Sequence, residues 1–134
     1  MTARNLVIVT LALVLFACQD SNLRNRAKSL DTSISEYSVG LRWSMVDVIE
    51  HFHKPKEGRP ELLDRDALEK VRVTSSSILE QTVNEEMTEA QVTGEISYYT
   101  TDTGTLKKKK YTQEWWYNEE NESWFIGSDY LDFE

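Results

Sequence analysis

The spacing of apolar residues changes once along the chain, near Val71, and this limits the fold more than any other feature. Before it, Ile34, Tyr37, Leu41, Met45, Val48 and Phe52 recur at steps of three and four. That spacing gathers them on one face of a helix. The predicted helix spans 30–53, with Asp31, Thr32 or Ser33 to cap it and Glu36 at capping-box spacing from Ser33. Val39, Trp43 and Val46 form a second apolar stripe beside the first, so the helix needs cover on more than one side. Gly40 weakens it by about 1 kcal/mol but allows close packing. Pro55, Gly58 and Pro60 end it, and 61–68 can form a short second helix.

After Val71 the period is two, as in strands. Four antiparallel strands are expected at roughly 69–82, 87–100, 105–117 and 122–132, joined by links of hairpin length. Pairing Thr100 with Thr105 sets Ile96 against Lys109, Val92 against Gln113 and Glu95 against Lys110. Pairing Tyr117 with Glu122 sets Trp115 against Trp124 and Lys110 against Asp129. Pairing Thr82 with Met87 turns Val71, Val73, Ser75, Ser77 and Leu79 to the same side. One face then collects Val92, Ile96, Tyr98, Tyr111, Trp115, Trp124, Ile126 and Tyr130, a consistency that a one-residue slip would destroy. Trp116, Phe125, Leu131 and Phe133 fall on the opposite face as a candidate docking surface. The expected architecture is α+β, a long N-terminal helix on a four-stranded antiparallel meander.

The first residues carry a different message. Arg4 is the only charge before Cys18, and twelve residues, LVIVTLALVLFA, lead up to that cysteine. The run is too short to span a bilayer with comfort and has the layout of a secretory signal. Leu15-Phe16-Ala17-Cys18 resembles the bacterial lipobox, in which the cysteine receives a diacylglycerol and the leader is cut just before it. The resemblance implies a lipoprotein signal peptide at 1–17, lipid attachment at Cys18, a polar tether over 18–29 and a single domain over 30–134. For the tether, an early start to the first helix is the competing reading. Two or more acyl chains on one residue suffice for stable anchoring. Gln19, where Asp would favour inner-membrane retention, points to the periplasmic face of the outer membrane. Cys18 is the only cysteine, so no disulfide is available to the domain. The net charge of −8 argues against nucleic acid as a partner.

The helix-then-meander order, with Tyr37…Leu41-Arg42-Trp43 and Gln113-Glu114-Trp115…Trp124-Phe125-Ile126, resembles the nuclear transport factor 2-like (cystatin-like) α+β folds. That resemblance implies a curved, cone-like sheet around the helix. The candidate cavity-lining residues are Tyr37, Trp43, Ser75, Ser77, Tyr98, Tyr111, Gln113, Trp115, Trp124 and Ser128. Members include isomerase- and dehydratase-type enzymes with an Asp, Glu or His inside the cone. The register puts no carboxylate there, and hydroxyl and amide groups are poor proton acceptors at neutral pH. His51 and His53 lie two apart, an arrangement unsuited to joint metal binding on a helix. Lys107 to Lys110 alternate sides and form no single patch. Trp115 against Trp124 reads as core packing, with ligand stacking as the alternative. No phosphate-cradling loop, nucleophile elbow or zinc-ligand spacing is present, so no catalytic residue, cofactor or metal is expected. The expectation is a lipid-anchored, non-enzymatic domain that binds a small apolar ligand or another envelope protein; the alternative is a small cone-cavity enzyme of isomerase or dehydratase type.

Overall fold

The computed structural model describes the backbone of residues 3–133 and the side chains of residues 19–133. The Cys18 side chain and those of the leader lie outside the described residues. The architecture is α+β: a long helix on one face of a four-stranded antiparallel sheet of order β1-β2-β3-β4.

Helix α1 runs Ala3–Arg42, so residues 19–29 are helical and Asp31 to Ser33 lie within the helix. The early start holds because the segment has something to pack on. The Trp124 indole N–H donates to the Arg26 carbonyl at 3.0 Å, and the Arg26 guanidinium lies 4.5 Å from the Tyr117 ring centre. Leu30, Ile34, Tyr37 and Leu41 then form the buried stripe.

The helix does not continue to His53. It closes at Trp43-Ser44-Met45, where Met45 N donates to Gly40 O and Ser44 N to Leu41 O, with Ser44 at φ 53. This is a Schellman closure with serine at the left-handed position. Helix α2, Val46–Phe52, folds back and buries Ile49 and Phe52. A Cβ on Gly40 would collide with Val48 Cγ1, so this glycine lets α2 approach α1. Of the second stripe, Val39 and Trp43 are exposed while Val46 is half-buried against the core, and Met45, expected on the first stripe, is exposed at the corner. Helix α3, Arg65–Glu69, is capped by the Asp64 carboxylate, which accepts from Ala67 N at 3.0 Å.

The strands are β1 Val71–Val83, β2 Glu89–Thr100, β3 Lys107–Asn118 and β4 Ser123–Ile126. The β2–β3 register is the expected one throughout, with Ile96 opposite Lys109, Val92 opposite Gln113 and Glu95 opposite Lys110. In the β3–β4 pair the register is shifted by two residues. Trp115 faces Ile126 and Tyr117 faces Trp124, so Trp115 and Trp124 are not cross-strand partners. A shift of two preserves every face, and Trp124 and Ile126 stay inside. On the other edge of β4, His53 bridges to Ile126 in parallel and Lys54 N donates to Ile126 O at 3.0 Å. Beyond it the chain leaves the sheet, Lys110 has no Asp129 opposite, and Lys108 pairs diagonally with Glu95 at 3.0 Å.

Strand β1 departs most from expectation. Its register with β2 shifts between Val73 and Ser75 and again between Ile78 and Glu80. Each bulge inserts one residue and reverses the facing of the residues beyond it. Val71 and Val73 point inward as expected, but Ser76 and Ile78 then take the inner positions opposite Ile96 and Gly94. Ser75, Ser77 and Leu79 are exposed.

Candidate functional site

The sheet face under α1 is the place to seek a ligand cavity. Tyr37, Tyr98, Tyr111, Gln113, Trp115 and Trp124 converge there and are all buried. Instead of lining a space, they fill it. The Tyr37 ring packs edge-on to Phe52 at 6.0 Å and to Trp115 at 6.1 Å, and Phe52 tilts against Trp115 at 5.7 Å. Tyr98 packs edge-on to Phe133 at 5.1 Å, and Tyr117 to Trp124 at 5.4 Å. Three expected lining residues are elsewhere. Ser75 and Ser77 are turned out by the Thr74 bulge, and Trp43 is 69% exposed because the helix has ended. Ser128 is half-buried at the rim, where its hydroxyl accepts from Glu114 N at 3.1 Å, continuing the ladder that β4 has left.

His53, read from sequence as a helix-end residue, is instead part of this core at 6% exposure. Its Nε2 lies 2.9 Å from the Tyr37 hydroxyl and its Nδ1 3.2 Å from the Ser128 carbonyl. Tyr130 lies against the ring at 4.1 Å. Burial lowers the imidazole pKa from 6.5 to about 4, against the opposing influence of the Ser128 carbonyl and of Asp129. Burial also raises Tyr37 and Tyr111. His51, by contrast, is exposed and edges against Phe52 and Phe125. A partial sequence signal existed in Pro55, which pushes Lys54 out of helical geometry and so ends the helix beside His53.

Gln113 Nε2 and Trp115 Nε1 are buried without a hydrogen-bond partner. Trp115 also borders an open groove of about 540 Å³ together with Ala90, Gln91 and Glu114, and unpaired buried donors of this kind are a cost of placing polar side chains in a core. The outward-facing aromatics are covered as well. Phe125 is 3% exposed, flanked by Trp116 and by the Lys54 ammonium at 4.4 Å, and the Trp116 indole donates to Lys54 O at 2.8 Å. Leu131 and Phe133 turn back onto the core edge. Trp116, Phe125, Leu131 and Phe133 therefore do not form the exposed patch their strand positions suggested.

The remaining concavities are open and superficial. One hollow of about 160 Å³ is bounded by His53, Arg59, Glu61, Ser128, Asp129 and Tyr130. A groove of about 650 Å³ lies at the α1–α2 corner against β1, lined by Arg42, Trp43, Glu69, Arg72 and Tyr99 among others. Among the described residues, no group of three or more His, Cys, Asp or Glu is placed to hold a metal ion. No family model, curated protein or solved structure matches the chain.

Proposed function

We propose that the chain is a lipid-anchored cell-envelope protein whose exported domain acts by binding another envelope protein at its surface. The observation that carries the binding reading is the filled interior. The sheet face under α1 is occupied by Tyr37, Tyr98, Trp115 and Trp124, and among the described residues no Asp or Glu is buried there. A domain with no internal room for a substrate is left with its surface. The small-apolar-ligand form of the same idea would have to use the open groove of about 530 Å³ lined by Leu63, Leu68, Val71, Leu131 and Phe133 instead of the filled interior.

The anchor reading rests on Leu15-Phe16-Ala17-Cys18 and on the single cysteine. Gln19 supports the periplasmic face of the outer membrane over the inner membrane. With α1 helical from Cys18 onward, the domain would sit close to its anchor. Arg26, already packed on the sheet, is eight residues along, about 12 Å at helical rise. The resemblance to nuclear transport factor 2-like folds is compatible with a binding role, since the sheet-and-helix frame itself prescribes no chemistry.

The test is recovery of the native protein from membranes and intact-mass measurement. Loss of residues 1–17 and an acyl mass on Cys18, both abolished by Cys18→Ser, are the expected results. A full-length soluble chain without acyl mass would overturn the anchor.

The enzyme alternative has one observation in its favour, the imidazole of His53 beside the small hollow with Arg59, Glu61 and Asp129. Both ring nitrogens are already engaged, one by Tyr37 and one by the Ser128 carbonyl. A base in use as a structural bridge has no lone pair for a substrate proton, and this weighs for binding over catalysis.

A further inference from the structure

The groove at the α1–α2 corner brings two arginines together beside an exposed tryptophan. The chain carries 23 acidic against 15 basic residues, and Arg26 and Arg65 both have carboxylate partners. Arg42 and Arg72 have none among the described residues, yet they line the same groove. Each is held in place by main-chain carbonyls. Arg42 Nη1 donates to Val73 O at 2.6 Å, and Arg72 Nη1 donates to Glu69 O at 2.6 Å and to Val71 O at 2.9 Å. Carbonyl contacts orient a guanidinium without neutralising it, leaving its other N–H groups for a carboxylate. The Glu69 carboxylate also borders the groove and offsets part of this positive charge.

An aromatic platform stands beside the two arginines. Trp43 is 69% exposed, with the Arg42 guanidinium 5.2 Å from its ring centre, and Tyr99 borders the far side. Trp43 is not on a loose loop. The Schellman closure fixes the corner, the Ser44 hydroxyl donates to Val71 O at 2.7 Å, and Arg42 ties the next inward-facing residue, Val73. Met45 and Val39 extend the apolar surface around it. Tryptophan, arginine and tyrosine on a rigid frame are the residue types that dominate protein–protein binding energy.

We propose that this groove docks an acidic segment of a partner polypeptide. Its carboxylates engage Arg42 and Arg72, and an apolar side chain lies on Trp43. The inference rests on the protein-binding reading given above and names the surface and partner chemistry for it. Charge complementarity chooses the occupant. The acidic balance of this domain disfavours acidic segments generally, and two arginines without carboxylate partners among the described residues, lining one groove beside Trp43, favour one there. The groove is open, which suits a chain segment passing through it.

The test uses the full chain in detergent micelles and fluorescence anisotropy of the labelled probe peptide Glu-Leu-Glu-Leu-Glu-Leu, with its lysine-for-glutamate counterpart as control. Binding of the acidic probe alone is expected, weakened about tenfold or more by Arg42→Gln with Arg72→Gln and by Trp43→Ala. Raising the salt to about 0.5 M should weaken it severalfold. Trp43→Ala alters an exposed side chain, so it reports on the groove without risk to the fold. Equal binding of both peptides would overturn the proposal, as would acidic binding indifferent to Trp43→Ala. Complete competition by inorganic phosphate at equal charge would reduce the groove to a simple anion site and overturn the peptide assignment. Failure here with acyl mass still present on Cys18, and with a partner captured at another surface, would strike this groove and leave the envelope-binding reading standing.

Discussion

The Tyr37 hydroxyl and His53 Nε2, sixteen residues apart in sequence, lie 2.9 Å from each other in the core. The other ring nitrogen faces the Ser128 carbonyl at 3.2 Å. A carbonyl only accepts, so Nδ1 carries the proton of the neutral ring and Nε2 accepts from the tyrosine hydroxyl. One neutral tautomer thus joins α1, the end of α2 and the segment after β4. A charged ring would lose its hydration in this buried setting, which is why burial lowers the pKa.

This arrangement makes stability depend on pH with a definite sign. The unfolded histidine titrates near 6.5 and the folded one near 4. Between those values the unfolded chain binds more protons, so stability is complete above about 6.5 and is lost as the pH falls toward 4. The histidine's share is at most about 3 kcal/mol. His53→Gln, which is neutral throughout and retains a donor and an acceptor, should be less stable at pH 7 but show a flatter pH dependence in that window. Urea unfolding at a series of pH values checks this. Parallel curves for the two proteins would mean that other groups carry the dependence.

Gly94 offers a second test, on packing alone. It sits opposite Tyr111 in the β2–β3 ladder, and a Cβ there would collide with the phenol ring. Tyr111 is buried and lacks room to swing away. Gly94→Ala should therefore cost about 1–3 kcal/mol, despite the better strand propensity of alanine. Tyr111→Leu in the same background should recover part of that loss, giving a coupling of about 1 kcal/mol or more in a double-mutant cycle. Strictly additive effects would show that the ring yields freely.

The parts of the fold legible in sequence are those where alternation is unbroken. Every second residue is apolar, aromatic or glycine along β2 from Ala90 to Tyr98, and Tyr111, Trp115 and Tyr117 share one side of β3, so a one-residue slip would not keep Val92, Ile96, Tyr111 and Trp115 together. The β1 bulges fall at Thr74, beside the serine run 75–77 where small polar side chains give no alternation to interrupt, and at Leu79, where Ile78 and Leu79 stand side by side and either could face inward. The β3–β4 slip comes from a turn without glycine, closed by Glu122 at φ 51. The two-residue error was harmless to the faces and costly only to the partner assignment of Trp115 and Trp124. The corner at Ser44 was hidden for the same reason, since a non-glycine residue occupies the left-handed position. Of the candidate site, the aromatic core residues were readable, but nothing in their spacing could say that they fill the cone. The corner groove depends on where α1 stops, and Arg42 drew notice only as part of a helix motif.

Glu122 also supports a stability prediction. A left-handed conformation costs a residue with a Cβ roughly 1–2 kcal/mol, whereas glycine adopts it freely. Glu122 is exposed, and its turn carries Glu119 and Glu120 as well. Glu122→Gly relieves the strain and thins the like charges, against the extra unfolded-state entropy of glycine. The expected net is a gain of about 0.5–1 kcal/mol, visible as a higher melting temperature. A lower one would mean that the side chain holds the turn by contacts outweighing its backbone cost.

Trp124 decides how firmly the amino-terminal part of α1 is held. The indole is fully buried, and its N–H is spent on the Arg26 carbonyl. Arg26 in turn stacks on Tyr117 and reaches the Glu86 carbonyl and the Glu119 carboxylate. The surface ion pair contributes little by itself, so the indole bond and the ring packing are what secure this segment. Trp124→Phe removes the donor and part of the ring, at a cost of about 1–3 kcal/mol. The loss should be uneven. Amide exchange in residues 19–29 should accelerate well beyond that in 34–42, where Ile34, Tyr37 and Leu41 remain buried. Leu30→Ala, in contrast, deletes a fully buried core side chain and should lower protection throughout α1 by about 2–5 kcal/mol. If exchange in 19–29 stays at its original rate in Trp124→Phe while global stability falls, the helix is self-supporting there and the indole bond is incidental.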